Sequence, residues 1–182
     1  MRRPDLPASA AAASFLLTAA LLLLPSPSVA QQDGDRSSPG AVSRALYDVI
    51  SGGADEARDW ERFRSLFLGG ARIVAVRFDE QGRSQGRDLS VDEFVERAGA
   101  FYREDGFWEE EIRARVDRYG TVAHVWSTYA TWIGSPEGEP DDRGINSIQM
   151  VETGDGWAIT AIAYYSEAAG ETVPGAYLPD GG

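Results

Sequence analysis

One uncharged stretch, Thr121–Trp132, limits most strongly what this 182-residue chain can fold into. It is rich in β-branched and aromatic residues and contains the only histidine, His124. Such a stretch predicts a β-strand, in which successive side chains point to opposite faces. One face carries Val122, His124, Trp126, Thr128 and Trp132, and the other carries Ala123, Val125, Ser127 and Tyr129. Because neither row is charged, we expect both faces to be covered, as in a strand that forms the wall of a ligand pocket.

The first 30 residues are predicted to be a secretory signal peptide. Arg2 and Arg3 precede an apolar run, Ala10–Leu24, and Ser28–Ala30 has the small residues of a cleavage site. The apolar run is shorter than the roughly 20 residues that span a bilayer as a helix. We therefore expect cleavage after Ala30 and a periplasmic or secreted protein, with no membrane contact after cleavage.

Composition divides the rest of the chain into three parts. Residues 31–40 predict a polar linker, residues 41–167 a single domain, and residues 168–182, rich in glycine and proline, a flexible tail. The formal net charge of −12 disfavours nucleic acid and anionic membranes as partners. One histidine and no cysteine disfavour a transition-metal site, and the chain has no phosphate-binding glycine loop, so no metal and no cofactor are predicted.

The order of predicted elements is two helices, a strand pair, a helix and a four-strand meander. Ser38 and Pro39 begin the first helix, the second covers about 55–68, and the capping box Ser90–Glu93 begins the third. The strands are predicted at 71–78, 83–87, 107–118, 121–133, 145–152 and 157–166. This order predicts an α+β fold, a cone-shaped, strongly curved antiparallel sheet with about three helices packed on its concave face.

Charge alternates along the predicted strand 107–118. One row carries Glu109, Glu111, Arg113, Arg115 and Asp117, which we interpret as a solvated face with cross-strand ion pairs. The other row places Glu110 beside Ile112 and Ala114, where burial would raise the pKa of its carboxyl. Glu110 is therefore a candidate catalytic residue.

The element order and three segments resemble the nuclear-transport-factor-2-like superfamily, and within it the SnoaL-like bacterial branch. The three segments are Ala123–Tyr129, Arg143–Gln149 and Trp157–Tyr165. The resemblance covers about residues 42–167 and implies a homodimer formed through the sheet. Because the superfamily includes ketosteroid isomerases, polyketide cyclases, scytalone dehydratase and binding modules without catalysis, the resemblance leaves the activity open.

Two residues of ketosteroid isomerase are absent from the positions that the resemblance implies. Ala45 falls where these enzymes carry a tyrosine, and Tyr47 lies two positions further on. Their catalytic aspartate would fall within Ile73–Arg77, which contains none. Steroid isomerisation is therefore disfavoured.

The candidate site residues are chosen for their chemistry and their predicted faces. His124 is the candidate acid or base, with Glu110 as its carboxylate partner. The candidate ligand-binding residues carry aromatic rings, amides or a guanidinium group: Trp126, Tyr102, Asn146, Gln149, Tyr165 and Arg143. Each also has a structural interpretation, since aromatic residues pack in cores and Arg143 has Asp141 and Asp142 beside it. Asn146 and Gln149, at odd spacing, are predicted to face opposite sides of the sheet.

Two functions remain open. The first is a secreted or periplasmic binding or dimerisation module whose aromatic-lined pocket takes a small apolar ligand. The second is a cofactor-independent lyase, isomerase or cyclase of SnoaL type, acting on a small apolar or polyketide-like substrate with His124 as acid or base. The first is favoured because no convergent acid–base pair is evident. The face of the sheet that His124 takes discriminates between them.

Overall fold

A computed structural model describes residues 34–179, so the predicted signal peptide lies outside the described residues. The helices are α1 (Pro39–Ile50), α2 (Trp60–Ser65) and α3 (Val91–Asp105). The strands are β1 (Phe67–Phe78), β2 (Ser84–Ser90), β3 (Phe107–Tyr119), β4 (Val122–Ile133), β5 (Asp142–Thr153) and β6 (Gly156–Ser166). They form a curved, unclosed sheet in the order β2-β1-β6-β5-β4-β3, antiparallel except for the parallel β1–β6 pair. The predicted cone-shaped α+β fold is confirmed.

Local sequence signals set the helix ends. The Ser38 hydroxyl accepts a hydrogen bond from Ala41 N at 3.1 Å and caps α1, and Ser90 and Glu93 form the predicted capping box of α3. Helix α2 is shorter than predicted because Asp59 caps it at Trp60 and Phe67 already pairs with β6. No helix within residues 34–179 is long and apolar enough to cross a membrane.

The core lies between the helices and the concave face of the sheet. Its largest fully buried side chains come from every layer: Phe63, Leu66, Val42, Val125, Ile148, Met150, Trp157 and Ile159. At one end of the sheet the Phe63 ring stacks on Phe94 with centroids 5.4 Å apart, which joins α2 to α3. The helices therefore pack on the concave face only, and within residues 34–179 the convex face does not contact them.

A β-bulge in β3 decides which face each charged residue of this strand takes. Glu111 pairs with Tyr129 whereas Arg113 pairs with Thr128, so Ile112 is the extra residue. Before the bulge the odd-numbered residues share the concave face with Tyr129, and after it they lie on the convex face. The predicted solvated row from Glu109 to Asp117 is therefore wrong for its first two members.

Residues outside the predicted domain 41–167 also pack against the sheet. Asp35 forms a 2.7 Å ion pair with Arg62, and Trp157 N donates to Arg36 O at 2.9 Å. On the convex face, Thr128 Oγ1 donates to Tyr177 O at 2.7 Å. The packed domain thus includes part of the predicted linker, and the predicted flexible tail is bonded to the sheet as far as Leu178, whose carbonyl accepts from Arg113.

Candidate functional site

A largely apolar cavity of about 510 Å³ lies between the helices and the concave face of the sheet. Its apolar wall includes Leu46 and Ile50 of α1, Phe94 and Phe101 of α3, Phe107 of β3 and Ile162 of β6. This volume falls in the range of about 300–1,000 Å³ that is typical of small-molecule sites. The cavity is the candidate functional site.

Glu109 places a carboxyl group in this cavity. It lies before the bulge of β3, opposite Thr131, and is only partly exposed. Burial raises the pKa of Glu109 to about 8, hydrogen bonds with Asn146 and Thr131 act in the opposite direction, and the charge of Asp142 raises it further. At neutral pH the Glu109 carboxyl is therefore mainly protonated and can both donate and accept a hydrogen bond.

A directed chain of hydrogen bonds holds Asn146 beside Glu109. Asn146 Nδ2 donates to Tyr47 Oη at 2.9 Å, and Tyr47 Oη lies 2.6 Å from Ser127 Oγ. Because Ser127 Oγ donates its single proton to Glu111 Oε2 at 2.6 Å, Tyr47 is the donor to Ser127. Burial raises the pKa of Tyr47 well above its usual value, so its hydroxyl keeps this proton.

Glu111 is the end point of this chain. Its Oε2 accepts from both Ser127 Oγ and Ser43 Oγ. Two hydroxyl donors therefore converge on one carboxyl oxygen. The concave face of the sheet thus carries two carboxyl groups in different surroundings. Glu111 accepts hydrogen bonds from two hydroxyl groups, whereas Glu109 lines the apolar cavity.

His124 lies on the convex face and does not line the cavity. Its Nε2 is 3.0 Å from Ser147 Oγ, and its ring packs edge-on against Trp126 with centroids 4.7 Å apart. Burial lowers the pKa of His124. Glu110 is exposed and pairs with Ala130, whereas His124 pairs with Asp117. Both residues lie on the convex face, but they are six positions apart along β4, so the structure does not bring the candidate pair His124 and Glu110 together.

Two of the predicted ligand-binding residues, Tyr102 and Asn146, line the cavity. Tyr102 is buried and stacks on Phe107 with ring centroids 4.3 Å apart. Asn146 is buried and Gln149 is exposed, which confirms that they face opposite sides of β5.

The other predicted ligand-binding residues lie outside this cavity. Trp126 and Tyr165 line a second space of about 370 Å³ between the convex face and residues 171–174. Tyr165 Oη is buried there without a hydrogen-bond partner among the described residues. Arg143 is exposed and pairs with Glu167 at 3.2 Å, and its expected ion pair with Asp141 or Asp142 is absent from the described part of the chain.

Three residues of the site, Glu109, Tyr47 and Thr131, are not predicted from the sequence. The signal for Tyr47 is the spacing of Ser43 and Tyr47, which puts two hydroxyl groups on one face of α1 within an apolar stripe. Glu109 has no local signal because strict alternation assigns it to the opposite face. No group of three or more His, Cys, Asp and Glu side chains in residues 34–179 is arranged to hold a metal ion.

No protein-family model matches the sequence, and no curated protein matches it. Solved structures do match in fold. A suggested dehydratase of the nuclear-transport-factor-2-like family from Streptomyces avermitilis is 15% identical, with TM-score 0.51 over 74% of this chain and 96% of that chain. A protein of unknown function from Mycobacterium tuberculosis is 14% identical, with TM-score 0.52 over 74% and 79%.

A third similar structure is the β subunit of a suggested aromatic-ring-hydroxylating dioxygenase from Novosphingobium aromaticivorans. It is 13% identical, with TM-score 0.50 over 81% of this chain and 94% of that chain. At such identities the likeness is one of fold, and the chain has the nuclear-transport-factor-2-like fold. Assignment to the SnoaL-like branch stays a prediction.

Proposed function

We propose that this protein binds a small, largely apolar molecule in the cavity and that Glu109 orients a polar group of that ligand. The observation that carries the proposal is the position of the Glu109 carboxyl in an apolar wall, where Asn146 and Thr131 hydrogen-bond to it and burial raises its pKa to about 8. A few placed polar groups in a concave apolar site are typical of specific small-molecule recognition. A neutral acid avoids the cost of burying a charge when the ligand excludes water.

Proton transfer to or from the bound ligand is the second candidate function, and one observation favours it. The pKa of Glu109 is raised to about 8, close to neutral pH, as general acid–base catalysis requires. In such an enzyme Glu109 would move the proton, and Tyr47 would be a positioning residue that acts through Asn146. A suggested dehydratase among the similar structures fits this reaction class. If the protein is an enzyme, Glu109→Gln should abolish turnover while ligand affinity persists. If it only binds the ligand, the wild type should show no turnover.

Filling the cavity is expected to weaken ligand binding. The probe is N-phenyl-naphthylamine, an uncharged apolar fluorophore, titrated into the purified protein. Saturable fluorescence enhancement is expected for the wild type. Ala98 lines the cavity from α3, so the indole of Ala98→Trp would occupy ligand volume and lower the affinity by about tenfold or more.

The matched control is Ala100→Trp, which adds the same ring at an exposed position of α3. It is expected to leave the affinity unchanged, and circular dichroism establishes that both variants are folded. Equal affinity in the two variants, or no saturable binding to the wild type, would contradict a ligand site in this cavity.

We also propose a homodimer formed through the convex face of the sheet. Val122 is 52% exposed on this face, and Gln149 of β5, which pairs with His124, is exposed on the same face. Light scattering after size exclusion is expected to give twice the monomer mass for the wild type and the monomer mass for Val122→Asp. A monomeric wild type at high concentration would contradict the proposed dimer.

Export through the N-terminal signal also stays a prediction, since it concerns residues outside the described ones.

A further inference from the structure

We propose that the ligand of this cavity is an amphiphilic anion, whose apolar body fills the cavity and whose anionic group binds Arg77, Arg87 and Arg97. The inference rests on the proposed function, because it concerns the same cavity. It adds the chemical class of the ligand and the residues that select it.

The three arginines come together from two elements. Ala75 of β1 pairs with Arg87 of β2, so Arg87 and Arg77 share the concave face of this strand pair. Arg97 lies on α3, which packs over the same strands. All three line the cavity and all three are exposed, so their guanidinium groups are open to solvent at the edge of an apolar wall.

These three arginines differ from most others in residues 34–179 in forming no ion pair with a carboxylate, although the charge of Arg97 lowers the pKa of Glu93 one turn earlier on α3. The exposed or half-exposed arginines that form ion pairs are Arg64, Arg72, Arg83, Arg115, Arg118 and Arg143. Within residues 34–179, no ion pair involves Arg77, Arg87 or Arg97. In a chain of net charge −12, three such arginines at one opening form a local site for an anion.

Two aspartates also line the cavity, but both are engaged by the protein itself. Asp141 Oδ2 accepts from Ile133 N at 2.7 Å. Asp142 Oδ1 accepts from Arg143 N at 2.8 Å, and its other oxygen accepts from the Ser166 hydroxyl. These hydrogen bonds hold both carboxylates at the β4–β5 end of the site. The guanidinium groups of β1, β2 and α3 therefore remain available to a ligand.

The polar groups of the cavity form two sets, which meet at Tyr164. The groups that shift the pKa of Glu109 are Asn146, Thr131 and Asp142, and no arginine is among them. Arg77 forms a hydrogen bond with Tyr164, which lines the cavity from β6 and also feels the charge of Glu109. A ligand that satisfies both sets carries an anionic group at the arginines and a neutral polar group at Glu109, joined by an apolar body.

A matched pair of fluorophores tests the requirement for an anion. Anilinonaphthalene sulfonate has the ring system of N-phenyl-naphthylamine with one added sulfonate. The wild type is expected to bind the sulfonate about tenfold more tightly than the neutral probe. This advantage should shrink in about 0.5 M salt, because exposed charges are screened. Only binding that Ala98→Trp suppresses is counted, since the sulfonate probe also binds exposed apolar patches.

The triple variant Arg77→Gln/Arg87→Gln/Arg97→Gln is expected to lose the sulfonate advantage and to keep the wild-type affinity for the neutral probe. The matched control is Arg44→Gln/Arg103→Gln, which removes two exposed arginines without ion pairs in the described part of the chain and outside the cavity lining. It is expected to change neither affinity. If the triple variant does not fold, Arg97→Gln alone is expected to lower the sulfonate affinity about two- to threefold.

The outcomes separate this inference from the proposed function. Failure of both probes to bind in the cavity would remove the proposed function and the inference together. If the neutral probe binds and the sulfonate has no advantage, or if the advantage persists in the triple variant, the inference is overturned while the proposed function stands. Loss of the advantage in the triple variant alone supports it.

Discussion

Replacing Glu109 with glutamine is expected to make the folded protein more stable than the wild type in alkaline solution. Burial raises the pKa of Glu109 from 4.5 to about 8, so the folded state keeps a proton that the unfolded state releases. The stability that this proton contributes is complete below the unfolded value and is lost as pH rises through the folded value. Glutamine resembles the neutral acid in shape and does not ionise.

The difference in unfolding free energy between Glu109→Gln and wild type should therefore grow with pH by about 1.4 kcal/mol per pH unit. It should level off above the folded pKa, at a total of about 3–5 kcal/mol. Denaturant unfolding at about pH 5, 7 and 9 measures it. Groups that titrate in both proteins cancel in the comparison.

The matched control is Glu110→Gln, a change of the same chemistry at an exposed residue on the other face of β3. Its difference from wild type should stay within about 0.5 kcal/mol at every pH. A pH-independent difference for Glu109→Gln would show that its carboxyl is not a buried acid, and both candidate functions would lose their central residue.

Gly144→Ala is expected to unfold or strongly destabilise the protein, with a cost of about 3 kcal/mol or more. A Cβ at this position of β5 would overlap Tyr129 Oη and Tyr165 O. The second of these is a main-chain atom of the paired strand β6, so relief requires the sheet to move. Because Tyr129 lines the cavity, its displacement would also disturb the ligand site.

Gly69→Ala is the matched control, a strand glycine in β1 around whose added Cβ no atom lies within 4 Å. Its stability should lie within about 1 kcal/mol of the wild type. Denaturant midpoints of the two variants and the wild type measure the difference. Similar midpoints for Gly144→Ala and Gly69→Ala would contradict the close packing of β4, β5 and β6 around Tyr129.

The fold could be predicted because its signals are local. The Ser38 and Ser90 caps bond to backbone groups three residues away, so each helix start is encoded within one turn. Strand alternation similarly revealed β4 and β5, and the spacing of Asn146 and Gln149 placed them on opposite faces. Asn146 and Tyr102 are the predicted ligand-binding residues that the structure places at the cavity.

The site was predicted less well because its geometry depends on contacts between distant segments. Alternation along β4 separates His124 from Val125 but does not say which row lies under the helices. The helices pack against the row that contains Val125, so His124 lies on the convex face, beside Ser147. The stretches at the two ends were predicted to be a polar linker and a flexible tail, yet Asp35 and Tyr177 reach partners more than 20 residues away.

Local sequence was thus sufficient to predict which helices and strands occur and their order along the chain, since caps and side-chain alternation act over a few residues. It was insufficient for the choice between Glu109 and Glu110. That choice follows from the pairing of β3 with β4, in which one extra residue at Ile112 reverses the alternation of the strand. The bulge is a property of two paired strands, so only the folded sheet places the Glu109 carboxyl in the cavity and gives it the raised pKa on which the proposed function rests.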